Sequence, residues 1–150
     1  MAENEPLDVL IVDSNLRSQR SLNRYIMQDP ALDLVRAFKG GRTAINFLKT
    51  DTKAKVMFLN PELRDISGFD MVGWLEYKPL IVVVSDRMDY AYYSYQMGAV
   101  DFLLFPFNGT EFRRCIEKVK LEMRKRELLR IAEEGEKSDA ASPDAASSTV

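Results

Sequence analysis

Apolar positions along this chain follow two periods in turn. Five short segments are rich in apolar and β-branched residues: Leu7–Val12, Leu32–Phe38, Val56–Leu59, Leu80–Val84 and Val100–Leu104. Runs of this length and composition read as strands, several of them buried on both faces. The segments between carry apolar residues at helical spacing. Asp13-Ser14-Asn15 ends the first strand and supplies capping side chains for a helix to about Met27, with Leu16, Leu22, Tyr25 and Ile26 facing inward. Asp29-Pro30 stops that helix. Gly40-Gly41 opens a second helix with Ala44, Ile45, Phe47 and Leu48. An irregular stretch from Asn60 to Gly68 leads to a short third helix around Met71, Val72, Trp74 and Leu75. A tyrosine-rich helix covers Met88–Met97, and Asn108-Gly109-Thr110 starts a long last helix reaching about Ala132.

Strict alternation of strand and helix predicts an α/β fold: a doubly wound, five-stranded parallel sheet flanked by five helices, the last one extended. In such a fold a site forms at the carboxyl ends of the strands. The residues delivered there are Asp13 and Ser14, Asn60, Ser85 and Asp86, and Phe105.

A length of 150 residues and a hydrophobic fraction of 46% suit one domain, taken as residues 1–132 with the extended helix included. Residues 133–150 repeat Asp-Ala-Ala-Ser at 139–142 and 144–147 and read as a disordered tail. The chain contains no histidine, which removes Ser–His–Asp and Cys–His catalysis and a phosphohistidine role and leaves carboxylates, hydroxyls, cations and surface shape; no catalytic residues are assigned. A single cysteine, Cys115, excludes an internal disulfide and suits a cytoplasmic setting. No segment approaches the ~20 apolar residues of a membrane span, and the acidic N-terminus lacks the basic start of a signal peptide. No membrane association is expected.

Several lines of sequence carry a resemblance: Leu10-Ile11-Val12-Asp13, then Phe58-Leu59-Asn60 with Gly68 eight residues on, then Val83-Val84-Ser85, and finally Gly98 through Phe107. In this order and spacing they resemble the receiver domain of bacterial two-component response regulators, most closely the LytTR class, over about residues 7–120. The resemblance implies a Mg²⁺ site from paired acids after the first strand and a phosphoryl-accepting aspartate after the third. It also implies a Ser/Thr after the fourth strand and a lysine before a proline after the fifth. Asp13 retains the first acid, but Ser14 replaces the second and Asn60 stands at the acceptor. Ser85 retains the hydroxyl, and Phe105 replaces the lysine. Arg64 stands where a proline is usual, with Pro61 directly after Asn60 instead.

These departures predict a pseudo-receiver. An amide at Asn60 offers no carboxylate nucleophile, and Asp13 alone would hold Mg²⁺ only weakly. No cofactor is therefore expected, and Asp13 serves equally well as a helix-capping residue. A substitute acceptor at Glu62 or Asp86 is the alternative; the ordinary reading makes Glu62 an exposed loop acid and Asp86 a helix cap.

Association surfaces are the remaining candidates. Tyr92 and Tyr93 cannot share the inner face of their helix with Ala91 and Tyr95, so they are potential binding anchors. Phe102 occupies the family's aromatic switch position and, lacking a hydroxyl, suits a permanently buried rotamer. Phe112, Ile116, Val119 and Met123 read as core, whereas Leu128, Leu129 and Ile131-Ala132 could form a short coiled coil with a second copy. Eight Lys/Arg lie between Arg113 and Arg130 against three Glu. Arg124, Lys125 and Arg126 could therefore follow nucleic acid, although a solvated face is the favoured reading and the net charge of −2 does not support DNA binding. The expected function is a phosphorylation-independent interaction or dimerisation module in signal transduction. Its partner is a signalling protein or a second copy through the helix 4–strand 5–helix 5 face. A DNA-associated transcriptional regulator is a further alternative.

Overall fold

The structure, a computed structural model, describes residues 5–51 and 53–140. Five strands and five helices alternate: β1 (Leu7–Val12), α1 (Leu16–Gln28), β2 (Leu32–Phe38), α2 (Gly41–Thr50), β3 (Val56–Leu59), α3 (Gly68–Gly73), β4 (Leu80–Ser85), α4 (Tyr90–Gln96), β5 (Asp101–Leu104) and α5 (Gly109–Ala140). The strands form one parallel sheet in the order β2-β1-β3-β4-β5. The sheet runs outward in both directions from the β1–β3 pair, so the crevice at the carboxyl ends of these two strands is the topological switch point. The chain divides into two compact units, the first ending at Val119 and the second starting at Lys120. Among the described residues no helix is long and apolar enough to cross a membrane.

The core follows from the apolar runs. β3 and β4 are buried along their whole lengths, and Val9–Val12 of β1 is wholly inaccessible. Aromatic rings fill the space between the sheet and the start of α5: Phe112 stacks on Phe58 at 5.8 Å and on Tyr25 at 5.4 Å. Cys115 lies in the same layer, and burial pushes its thiol pKa up.

Several expectations change. Leu16 is exposed and Tyr25 only half-buried; the inner face of α1 is Ser18, Leu22 and Ile26, spaced four apart, and Ser18 turns inward because its hydroxyl has an acceptor there. Tyr95 is exposed rather than buried, because Ser94 takes the inner position and donates to the Tyr90 carbonyl at 2.8 Å. Phe102 is half-buried against the core, not enclosed. The last helix continues to Ala140, eight residues past its expected end, so 133–140 are helical rather than disordered tail. Extending an existing helix needs no nucleation, and the glutamates and lysine here favour it; a composition test for a packed core does not bear on such a segment. The rest of the expected tail, 141–150, lies outside the described residues.

Gly68 opens α3 against the loop that follows β3. Its N–H donates to the Pro61 carbonyl at 2.8 Å, and an added Cβ would stand 2.7 Å from the Pro61 Cα. Because that neighbour is backbone, the loop itself must move. Gly68→Ala is expected to cost about 1–3 kcal/mol in a denaturant titration, the range for overpacking a tight site.

Candidate functional site

An open cleft of about 220 Å³ lies at the carboxyl ends of the strands. It is lined by Ser14, Asn15 and Ser18 after β1, by Asn60, Glu62 and Arg64 after β3, and by Ser85, Asp86 and Phe105 at the ends of β4 and β5. The sequence therefore delivers Ser14, Asn60, Ser85, Asp86 and Phe105 to one place, with Asp13 buried directly behind it.

Asp13 is 1% exposed, and its carboxylate accepts three hydrogen bonds. One oxygen accepts the Asn15 N–H at 2.8 Å and the Asn60 side-chain amide at 3.0 Å. The other accepts the Ser18 hydroxyl. Burial raises the Asp13 pKa above its ordinary value, and the bonds from Ser18, Asn15 and Asn60 counter that rise. The capping expectation is corrected: Asn15 is the N-cap of α1, accepting from Arg17 and Ser18 N–H, and Asp13 instead organises the residues around that cap.

Asn60 is 8% exposed and fixed from both sides. Its amide nitrogen donates to Asp13, and its amide oxygen accepts the Glu62 N–H at 3.0 Å. Ser14 donates to the Lys39 carbonyl at 2.5 Å, so its proton is already committed. The Ser85 oxygen accepts the Arg87 N–H at 3.0 Å. Phe105 is half-buried, edge-on to Phe107, and the Arg17 guanidinium lies 5.8 Å from its ring centre. A cation thus stands beside the fifth-strand position, held over an aromatic face rather than directed as a point charge.

The two substitute carboxylates behave differently. Glu62 accepts from Arg87 and from the Tyr90 hydroxyl, each at 3.3 Å, so it ties the loop after β3 to the start of α4. Asp86 is exposed at the rim; α4 takes Asp89 rather than Asp86 as its cap residue, which corrects the capping reading. Sequence reasoning did not anticipate Ser18, Arg17, Arg87 or Tyr90 at this site. It also missed Asp65, whose carboxylate accepts the Gly41 and Arg42 N–H groups at 2.9 Å and so caps α2 from a distant loop. Those two bonds hold the Asp65 pKa below its ordinary value. Among the described residues no three Asp, Glu or Cys side chains cluster as metal ligands.

The Asp13 network has a titration consequence. Its folded-state pKa is raised above 3.8, so the folded protein holds this proton more tightly than the unfolded chain. Stability from this group is therefore greatest below the unfolded value, and it falls as pH rises towards the folded one. Asp13→Asn is expected to flatten the fall in urea midpoint as pH rises above the unfolded value, because Asn keeps an acceptor for Asn15 and Asn60 and offers Ser18 a donor. Asp13→Ala strands those three donors and is expected to cost about 1–3 kcal/mol.

No family model matches the chain. The chain is similar to the sensory transduction protein LytT of Enterococcus faecalis, 31% identical over 137 residues, which takes in 89% of this chain and 56% of that protein. It is also 26% identical over 132 residues to the transcriptional regulatory protein BtsR of Escherichia coli, taking in 85% of this chain and 54% of BtsR. The chain thus spans about half the length of the curated relatives it matches. The response regulatory domain of MrkE from Klebsiella pneumoniae superimposes with a TM-score of 0.71 at 20% identity, over 79% of this chain and 99% of that domain.

Proposed function

We propose that this chain, which has the receiver fold and whose relatives are response regulators, acts in signal transduction as a phosphorylation-independent association module. The observation that carries this reading is the hydrogen bond from the Asn60 amide to Asp13 at 3.0 Å. In the family pattern the Asp13 position is an acid that holds Mg²⁺ and the Asn60 position is the phosphoryl-accepting aspartate. Here one is a neutral donor pointed at the other, and the pair satisfies itself.

The residues present do not fit Mg²⁺. Magnesium takes hard oxygen ligands in near-octahedral array. The Asp13 oxygens already accept three donors, Ser14 donates to a backbone carbonyl, and Asn60 turns its nitrogen inward. Glu62 is paired with Arg87, a guanidinium it shares with Asp89, which leaves Asp86 as the one cleft carboxylate without such an ion pair among the described residues. The same facts weigh against Glu62 as a substitute acceptor.

Association then falls to the surface. Tyr92, Tyr93 and Tyr95 of α4 are 65%, 55% and 77% exposed, and Leu104 of β5 lies open beside them in the fold order. Tyrosine offers large contact area for little lost side-chain freedom. The protein partner is a signalling protein in the cytoplasm or a second copy, engaged through α4, β5 and α5 up to Val119. DNA binding is disfavoured, because the net charge is −2 and, of the three candidate cations, Arg126 is already paired with Glu122 on its own helix.

Incubation with acetyl phosphate and Mg²⁺, followed by intact-mass measurement, tests the reading. No added phosphoryl mass is expected. Stoichiometric labelling on Glu62 or Asp86 would replace the proposal with a substitute-acceptor receiver.

A further inference from the structure

The second compact unit is described over its helical part, Lys120 to Ala140 of α5. Leu121, Leu128, Leu129 and Ile131 are 55%, 61%, 63% and 53% exposed. Four large apolar side chains left open on one helix within eleven residues call for an occupant. At 100° per residue Leu121, Leu128 and Ala132 share a stripe, Leu129 and Ile131 flank it, and Lys125 and Glu136 lie on the Leu129 side of it.

Charge along this segment is divided by position. From Lys120 to Arg126 four cations stand with one acid, Glu122; from Glu127 to Glu136 four acids stand with one cation, Arg130. It is also divided by face. The pairs Arg126–Glu122, Arg130–Glu127 and Arg130–Glu134 run along the side away from Leu128. Lys125 and Glu136, beside the leucines, make no ion pair among the described residues.

We propose that this segment pairs with the same segment of a second copy, antiparallel and centred near Arg130. In an antiparallel two-fold pair each flank of the helix meets the same flank of its mate, with heights reversed about the midpoint. A midpoint near 130 sets Lys125 opposite Glu136 of the second copy, twice by symmetry. It brings Leu128 beside Ala132 of the second copy and Leu129 against the flank of its own counterpart. A parallel pair would instead set the Lys125 flank of each helix against the Arg124 flank of its mate, a like-charge penalty, and would leave Glu136 without a cation opposite it. The charge pattern therefore selects the direction, while the leucines supply the buried area. This pairing does not depend on the chemistry of the Asp13–Asn60 cleft, and it is distinct from contact through α4 and β5.

The test uses the full chain with single cysteines introduced by Lys125→Cys and Glu136→Cys; Cys115, the native cysteine, is buried. Oxidising an equimolar mixture is expected to give mainly the mixed 125–136 disulfide, while each variant alone gives little. Predominant 125–125 and 136–136 disulfides would overturn the antiparallel direction. A yield no higher than that of Met27→Cys, an exposed site on α1, would overturn the pairing itself. In sedimentation velocity, Lys125→Glu is expected to weaken self-association through α5 about tenfold, as two attractive pairs become repulsive. The double reversal K125E/E136K is expected to restore the wild-type disulfide-independent association, and failure to restore it would contradict the register.

Discussion

Asn60→Asp is expected to lower the unfolding temperature in metal-free buffer and to recover it on addition of Mg²⁺. The Asn60 amide nitrogen stands 3.0 Å from an Asp13 oxygen. Replacing it with a carboxylate oxygen turns a buried hydrogen bond into a contact between two acids, only one of which can readily ionise. Losing the donor and adding that repulsion is expected to cost about 1–3 kcal/mol. For a chain of this size that is a fall of roughly 2–10 °C. A divalent cation placed between two carboxylates reverses the sign, so the variant should show a Mg²⁺ dependence that is not expected of the native sequence. Adding Ser14→Asp and Phe105→Lys rebuilds the second acid and the cation of the family pattern. The triple variant is expected to accept phosphoryl from acetyl phosphate. An Asn60→Asp protein whose stability ignores Mg²⁺ would show that the Asn60–Asp13 contact is not what disables the cleft.

Phe112→Ala is expected to cost about 3–5 kcal/mol, the range for removing a buried aromatic ring. Phe112 is 2% exposed and touches three rings, those of Tyr25, Phe58 and Phe107. These join α1, β3 and the segment after β5 to the start of α5. Against a typical total of about 5–15 kcal/mol, the loss is large enough to see directly in a urea titration. It also bears on the cleft, since Phe107 sits two residues past Phe105 and packs on both rings. A midpoint shift worth less than about 1 kcal/mol would mean the neighbouring rings collapse into the space.

The three central strands were legible because burial on both faces imposes a short apolar run, whereas the edge strands β2 and β5 are largely open and followed from the strand–helix alternation. β1, β2 and β3 span their expected residues, β4 runs one residue further to Ser85, and β5 starts one later at Asp101. Meeting of Asp13 and Asn60 was legible from the same source, since parallel neighbours bring their carboxyl ends together. The helix faces were harder where a serine outcompetes a larger apolar residue. Ser18 and Ser94 turn inward because each hydroxyl finds an acceptor, and this leaves Leu16 and Tyr95 to solvent. Hydropathy carries no signal for such a choice. The bridge from Glu62 to Arg87 and Tyr90, the Arg17 guanidinium over Phe105, and the capping of α2 by Asp65 all join residues without a fixed spacing. They have no period to read. The end of α5 was misjudged because a helix can persist on propensity and i,i+4 pairs without a core beneath it.

Backbone amide NMR, with Mg²⁺ and then beryllofluoride titrated into the native chain, tests the central claim most directly. Beryllofluoride mimics an acyl phosphate and reports a working pocket without needing turnover. Signals of Asp13, Asn60 and Ser85 are expected to stay in place at stoichiometric ligand, with α4 equally unmoved. Saturable shifts at those residues, spreading to α4 and Phe102, would contradict the account and return this chain to the phosphorylated receivers.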